Sequence, residues 1–347
     1  MHQVQLDRYR LDGFLGSGSD YEVHAATDLE TGDAVVLKRP NPDYITRQFH
    51  GAIDLLSQRL VEVHTSIGTS IPGISHLAGY VEGGNHDGYF GDSLKQRYWV
   101  LVYQRARGIP LAADIRDKFK GVPTGLPQGL FAIHPLARHA SKGPFDIHRQ
   151  LVEVEEALLD AGHLLLDTRP QNVYYDPLAG EISIIDIGAM PAKGSASQGV
   201  VSIGDGDKDF HDFFAEVFRF YAAPEVPPAD VAGYREPVGM RNVPRFDMQV
   251  KGMLGAFSAA PDARVRDTAV GVLEKVLERS YPSVDAFRRD LDAYLAAVEE
   301  RNRGLADLPD RTGVWREGLA MLSQDYWRRF LFDPETDLAS YGSAPEG

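Results

Sequence analysis

Residues 167–188 read Asp-Thr-Arg-Pro-Gln-Asn-Val, a short linker, and then Ile-Ser-Ile-Ile-Asp-Ile-Gly. A carboxylate, Asp167, is followed two positions on by a cation, Arg169, and five on by an amide, Asn172. An apolar strand then delivers a second carboxylate, Asp186. A lone Asp is ordinarily a cap or a turn residue, so the information lies in the ordered spacing. Carboxylate and amide oxygens suit a small, hard divalent cation. A fixed cation beside a carboxylate can steady a phosphate and aim a hydroxyl at it. Any fold for this chain must bring that loop and the end of the following strand to one place.

The whole chain bounds what can surround this feature. Its 347 residues suffice for two lobes, and 43% hydrophobic content can fill a sizeable core. A formal charge of −14 argues against a nucleic-acid surface, which demands Lys and Arg. There is no cysteine, so disulfides, zinc-thiolate sites and thiol nucleophiles are excluded. The start, Met-His-Gln-Val-Gln-Leu-Asp, lacks the basic and apolar runs of a signal peptide. No stretch approaches the ~20 apolar residues of a membrane span. The expectation is a soluble, cytoplasmic protein that binds neither nucleic acid nor membrane.

No internal repeat is visible. The first hundred residues are strand-rich: Tyr9 to Leu15, Tyr21 to Thr27 and Ala34 to Lys38 are short runs separated by turn residues. Asp28-Leu-Glu-Thr-Gly-Asp33 reads as a hairpin turn. Apolar residues at Ile53, Leu56, Leu60 and Val63 predict a helix over 48–64, and 83–91 reads as an exposed loop. Tyr98 to Tyr103 reads as a buried strand. Residues 120–144, rich in Gly and Pro, read as an insertion or loop, and 189–208 as a mobile loop. Helices are predicted over Asp146 to His163, near Phe210 and Met248, and over Ala263 to Arg279 and Ser283 to Arg301. One more is expected over Trp315 to Phe332, with the last fifteen residues frayed. The eleven histidines show no paired metal spacing. Glu153, Glu155 and Glu156 read as a solvated helix face, and Tyr326, Trp327, Phe330 and Phe332 as core or docking surface rather than a cofactor site.

Taken in order, the motifs resemble the eukaryotic-like Ser/Thr protein kinase superfamily over about residues 9–298. Gly16-Ser17-Gly18 followed by Val23 is similar to the family's glycine loop, which covers nucleotide phosphates; Tyr21 stands in place of the third glycine and Asp20 in place of the usual aromatic. Val35-Val36-Leu37-Lys38 resembles the strand whose lysine pairs with the α- and β-phosphates. The lysine's carboxylate partner is assigned to Glu62, ten residues before Pro72, with Asp54 as fallback. Tyr103 would flank the adenine pocket, and Gln104, Arg105 and Ala106 would offer backbone hydrogen bonds to the base. The resemblance makes Asp167 the catalytic base, Arg169 the cation on the transferring phosphate, and Asn172 and Asp186 the magnesium ligands. Ala223-Pro-Glu225 resembles the close of the activation segment, with Arg279 as partner of Glu225. Asp247 and Gly252 resemble the start of the central large-lobe helix. The alternative is that Phe210 to Tyr221 is itself a core helix, as in small-molecule kinases that share the fold.

One departure is marked. Leu165 and Leu166 replace the family's His and Arg before the catalytic Asp, which removes the cationic seat for a phosphorylated activation loop. The expected fold is α+β and bilobal. A small lobe (1–106) carries a five-stranded antiparallel sheet and one helix, and a mainly helical large lobe (107–300) carries an insertion at 118–144. A C-terminal helical extension and tail (301–347) follows, with possible partner docking through it. The expected function is ATP- and Mg2+-dependent phosphotransfer to Ser or Thr hydroxyls of protein substrates, independent of loop phosphorylation. A small-molecule (aminoglycoside- or choline-kinase-like) phosphotransferase and a nucleotide-binding pseudokinase scaffold are the alternatives.

Overall fold

Short β-branched and aromatic runs with turn residues between them favour antiparallel neighbours, and the N-terminal third folds that way. The computed structural model describes residues 2–18, 20–42, 53–91, 94–113, 146–187, 208–225, 246–303 and 311–343. Strands β1 (His2–Gln3), β2 (Tyr9–Ser17), β3 (Tyr21–Asp28), β4 (Ala34–Pro40), β5 (Leu77–Gly84) and β6 (Tyr98–Gln104) form one sheet in the order β1-β5-β6-β4-β3-β2. Five strands are antiparallel, as expected; β1 is an added edge strand, parallel to β5.

Helix α1 (Ile53–Ile67) lies against this sheet and buries Leu60, Val63 and Ile67. The stretch 83–91 is not simply an exposed loop. β5 runs to Gly84, and a helical turn, α2 (Asp87–Phe90), follows. Tyr89 and Phe90 pack on the sheet's outer core, and the Tyr89 hydroxyl donates to the Tyr9 carbonyl at 2.7 Å. Two aromatics next to a Gly- and Asp-rich segment supply the apolar area that holds it down.

After β6 the chain turns through Gly108 into β7 (Ile109–Pro110), which pairs with β8 (Val173–Asp176) and through it β9 (Glu181–Ile184). Gly108 has φ +77°, and a Cβ there would stand 1.9 Å from the Tyr175 carbonyl oxygen. Only glycine fits so close an approach of two backbones.

The remainder is helical: α3 (Asp146–Asp160), α4 (Phe210–Tyr221), α5 (Phe246–Ser258), α6 (Ala263–Leu277) and α7 (Val284–Arg303), then α8 (Arg311–Leu322), α9 (Asp325–Arg328) and α10 (Pro334–Gly342). α3 buries Leu151, Val154 and Leu158, as its periodicity predicts. It also buries Glu155 completely, so the reading of Glu153, Glu155 and Glu156 as one solvated face is corrected. The C-terminal segment holds α10 where fraying was expected, because Tyr341 is buried.

The central helix of this lobe is α4, not the helix at Asp247 and Gly252. Phe213, Phe214, Val217, Phe218 and Phe220 are all buried, and Phe214 stacks on Phe287 with ring centroids 3.8 Å apart. Asp247, by contrast, is only partly buried at the start of α5, 3.9 Å from Lys251. Arg279 pairs with Asp209 (2.7 Å) and Asp212 (3.1 Å) at the capping box of α4, rather than with Glu225. An apolar run as dense as Phe213 to Tyr221 outweighs a three-residue motif in choosing what fills the core. The expected insertion at 118–144 and nearly all of the loop at 189–208 lie outside the described residues.

Candidate active site

Asp167 sits between α3 and β8 with φ +76°, a backbone state that a non-glycine residue keeps only when its surroundings enforce it. They do so from below. Glu216, on α4, accepts hydrogen bonds through Oε2 from the amides of Asp167 (3.0 Å) and Thr168 (2.8 Å) and from the Thr168 hydroxyl (2.9 Å). Burial pushes the Glu216 carboxyl above its usual range; the Asp167 charge adds to this, and the Thr168 bonds oppose it. The Tyr221 hydroxyl donates to the Thr168 carbonyl at 2.5 Å, and Glu155 accepts from the Leu165 amide at 2.8 Å. Leu165 and Leu166 are buried in this framework, where apolar side chains cost nothing in desolvation. Sequence reasoning missed Glu216. Its signal was present: it is the single acidic residue in the apolar run 213–221, and a carboxylate there needs partners.

On the open side of the loop, Arg169 grips the Asp167 carboxylate through both Nε and Nη2, and both side chains are partly exposed. That bond raises the Arg169 pKa further, against the effect of its burial. The Asn172 amide nitrogen donates to the Asp167 carbonyl at 3.2 Å, which turns its own oxygen away from that contact. The Ile185 amide donates to the Asn172 carbonyl at 2.9 Å, so the loop and the residue before Asp186 are locked together.

Lys38 reaches this point from the other lobe. Its ammonium donates to the Ile185 carbonyl at 2.8 Å and lies 4.7 Å from the centroid of the Tyr103 ring. The structure does not bring Glu62 to it. α1 turns Ser57, Leu60, Val63 and His64 inward, which puts Glu62 on the solvent face, 3.2 Å from Arg59. Asp54 is partly buried at the start of α1, and burial pushes its carboxyl up. The residue of α1 that senses Lys38 is His64, stacked edge-on to Tyr103 at 5.2 Å. Burial lowers its pKa to about 3, with the Lys38 and His76 charges pushing the same way and Asp186 opposing. His64 is therefore a neutral imidazole.

Between the lobes lies a cleft walled by Leu15, Val23 and Val36 from the sheet, Lys38 and Tyr103 at the back, and Gln104, Arg105 and Ala106 along the connection, with Tyr174 and Ile185 beneath. Seven of the residues assigned to nucleotide binding thus line one space. The Gln104 amide is used by the His76 carbonyl (2.9 Å), and its carbonyl accepts from Ser75 Oγ (2.6 Å) while keeping a second lone pair. The glycine segment pairs Gly16 with Val23, and Asn41 donates to the Gly18 carbonyl at 2.8 Å. A Cβ on Gly16 would meet nothing within 4 Å, so packing does not require glycine there. Tyr21 is no lid residue. Its buried hydroxyl lies 2.9 Å from Ser57 Oγ and ties β3 to α1.

A last wall residue was not foreseen: Phe330, from the C-terminal extension, lines the same cleft. The aromatic cluster at 326–332 was the available signal.

Hard oxygen donors at Asn172 and Asp186, next to a lysine and an arginine, fit a magnesium ion that takes its other ligands from phosphates and water. The apolar walls and main-chain groups of the connection fit a planar base. Among the described residues no cluster of three His, Asp or Glu side chains is built to hold a metal by itself, and no helix is long and apolar enough to cross a membrane.

No protein-family model matches the chain, and no curated protein matches it. Among solved structures it is similar to the kinase domain of Mycobacterium tuberculosis PknI, at 17% identity and a TM-score of 0.45, over 85% of this chain and 98% of that one. The fold is α+β: a mainly antiparallel sheet with a helix packed on it, a connection, and a helical lobe.

Proposed function

We propose that this chain is an ATP- and Mg2+-dependent phosphotransferase acting on Ser or Thr hydroxyls of protein substrates. The observation that carries the reading is the bond from Lys38 to the Ile185 carbonyl, which joins residues 147 positions apart at the residue preceding Asp186. A strand lysine of the cleft is thereby joined to the backbone beside Asp186, and the Ile185 amide ties that residue to the 167–172 loop. The base would lie among Val23, Val36, Tyr103 and Ala106, with Gln104 and Arg105 contributing main chain. The phosphates would lie toward Gly16, Ser17, Gly18 and Lys38. Asn172 and Asp186 would hold the magnesium, which supplies charge neutralisation on the phosphates.

In this reading Asp167 orients the acceptor hydroxyl and takes its proton as the new O–P bond forms and ADP departs. Arg169, already beside Asp167, is placed to exchange its carboxylate partner for the transferring phosphate. Most of the catalysis is positioning and electrostatics. Leu165 and Leu166 provide no cationic seat for a phosphorylated loop, so activity should not depend on phosphorylation. Alanine at Ser195, Ser197 and Ser202 together, all outside the described residues, should leave transfer intact. Cytoplasmic location belongs to the same proposal.

A second acceptor class is favoured by one observation. α4 lies between Asp186 and Ala223 in the chain and is the buried core helix, the arrangement expected of small-molecule kinases rather than of an activation segment ending at Ala223-Pro-Glu225. Labelled ATP with magnesium, offered with a protein panel and a panel of small hydroxyl compounds, separates the two. Asp186→Ala and Asp167→Ala should abolish transfer in either case. No transfer and no nucleotide-dependent thermal shift by the wild type would overturn the enzyme reading, and transfer surviving in both variants would overturn the site.

A further inference from the structure

The C-terminal extension is pinned to the lobe connection on both sides of Phe330. Arg105 Nη2 donates to the Leu331 carbonyl at 2.8 Å and to the Arg329 carbonyl at 3.4 Å. The Arg105 and Arg107 guanidinium groups lie 5.6 and 4.9 Å from the Phe332 ring. Trp327 and Leu331, which flank Phe330, are 2% and 1% exposed and belong to the large-lobe core. Phe330 itself is only partly buried and lines the cleft, with the Arg329 guanidinium 4.7 Å from its ring centroid.

The aromatic partners of Phe330 are Tyr174, edge-on at 6.2 Å, Tyr326 at 5.9 Å and Trp327 at 6.2 Å. These lie on the large-lobe and extension side, so the ring is held against one wall of the cleft. Leu15 and Val36, apolar and from the sheet, line the same cleft. A flat aromatic ligand entering between them and Phe330 would exchange water for apolar surface on both of its faces.

From this arrangement, and resting on the nucleotide reading above, we propose that Phe330 is a binding residue for the adenine base. The extension α8–α10 is then the outer wall of the nucleotide site. The phosphates sit at the other end, by Lys38 and Asp186, so Phe330 acts on the base alone. The chemistry it selects is a planar heteroaromatic ring, whether or not phosphates are attached.

Calorimetric titration of the full chain with Mg·ATP and, separately, with adenosine tests this. Phe330→Ala should weaken both ligands by the same factor, roughly tenfold, the scale of one base–aromatic contact. Phe330→Tyr should bind like the wild type. Phe330→Leu keeps the apolar volume and protects the fold should the alanine variant melt early; it should still lose a few-fold on both ligands. Unchanged binding by the alanine and leucine variants overturns the proposal, as does a loss confined to ATP. Tighter binding by Phe330→Ala also overturns it and makes the extension a plug rather than a wall. A folded wild type that binds neither ligand overturns the nucleotide reading itself, a result distinct from the other three.

Discussion

One carboxylate oxygen of Glu216 accepts two hydrogen bonds from Thr168, amide and hydroxyl, at 2.8 and 2.9 Å, and a third from the Asp167 amide. The core helix thus fixes the backbone of the loop that carries the candidate base. Glu216→Ala would strand three donors in a partly buried site, at a cost of about 2–4 kcal/mol. Glu216→Gln keeps an oxygen acceptor, loses the charge assistance and should cost about 1 kcal/mol. Urea denaturation should rank wild type, Gln and Ala in that order. Phosphotransfer should fall further than stability does, because Asp167 at φ +76° relaxes once its support goes.

Gly108 predicts a sharper loss. An alanine there must place its Cβ 1.9 Å from the Tyr175 carbonyl oxygen while keeping φ near +77°. Either the connection or β8 has to move, and Gly108→Ala should destabilise by more than about 3 kcal/mol. Gly252→Ala is the control. That glycine lies inside α5 with nothing within 4 Å of the added Cβ. It should gain about 0.5–1 kcal/mol. Thermal melts of the two variants should move in opposite directions.

Tyr21 and Ser57 form a buried hydroxyl pair at 2.9 Å between β3 and α1. A double-mutant cycle with Tyr21→Phe and Ser57→Ala should return a coupling of about 1 kcal/mol. Each single change leaves one hydroxyl group short of its partner, whereas the double change removes both. The double variant should therefore be less destabilised than the sum of the singles.

How far the sequence carried depended on whether a feature was local. The strands Tyr9 to Leu15 and Tyr98 to Tyr103 and the helix from Asp146 were legible because period and punctuation are read within one segment. The spacing from Asp167 to Asn172 was legible for the same reason. Contacts between segments were not. Glu62 was assigned by counting back from Pro72, but helix register decides which side chains face the sheet, and Ser57 and His64 occupy that face. The Asp247 reading failed because two matching letters, Asp247 and Gly252, say nothing of burial, which α4 claims with its phenylalanines. Phe330 reaches the cleft from far along the chain, a placement set by packing of Trp327 and Leu331 that no local pattern encodes.

His64 predicts a pH dependence whose sign is fixed by the direction of its shift. Its folded-state pKa is lowered to about 3 by burial first, then by Lys38 and His76, with Asp186 opposing. An unfolded chain protonates the same imidazole near its ordinary value of about 6.5. Below that value the unfolded state binds the proton and the folded state does not, so stability contributed by neutral His64 is full above about pH 6.5 and drains away as pH falls toward 3. Glu216 and Glu155, raised by burial, act in the opposite sense: they favour the fold more as acid protonates them. Both effects run as the solution is acidified, so the wild-type curve alone does not separate them. His64→Gln does, since it removes only the first. Denaturant midpoints at closely spaced pH values should show the wild type losing stability faster than His64→Gln between pH 6.5 and 4. Parallel curves would mean that His64 titrates normally in the fold and that its burial beside Lys38 is incomplete.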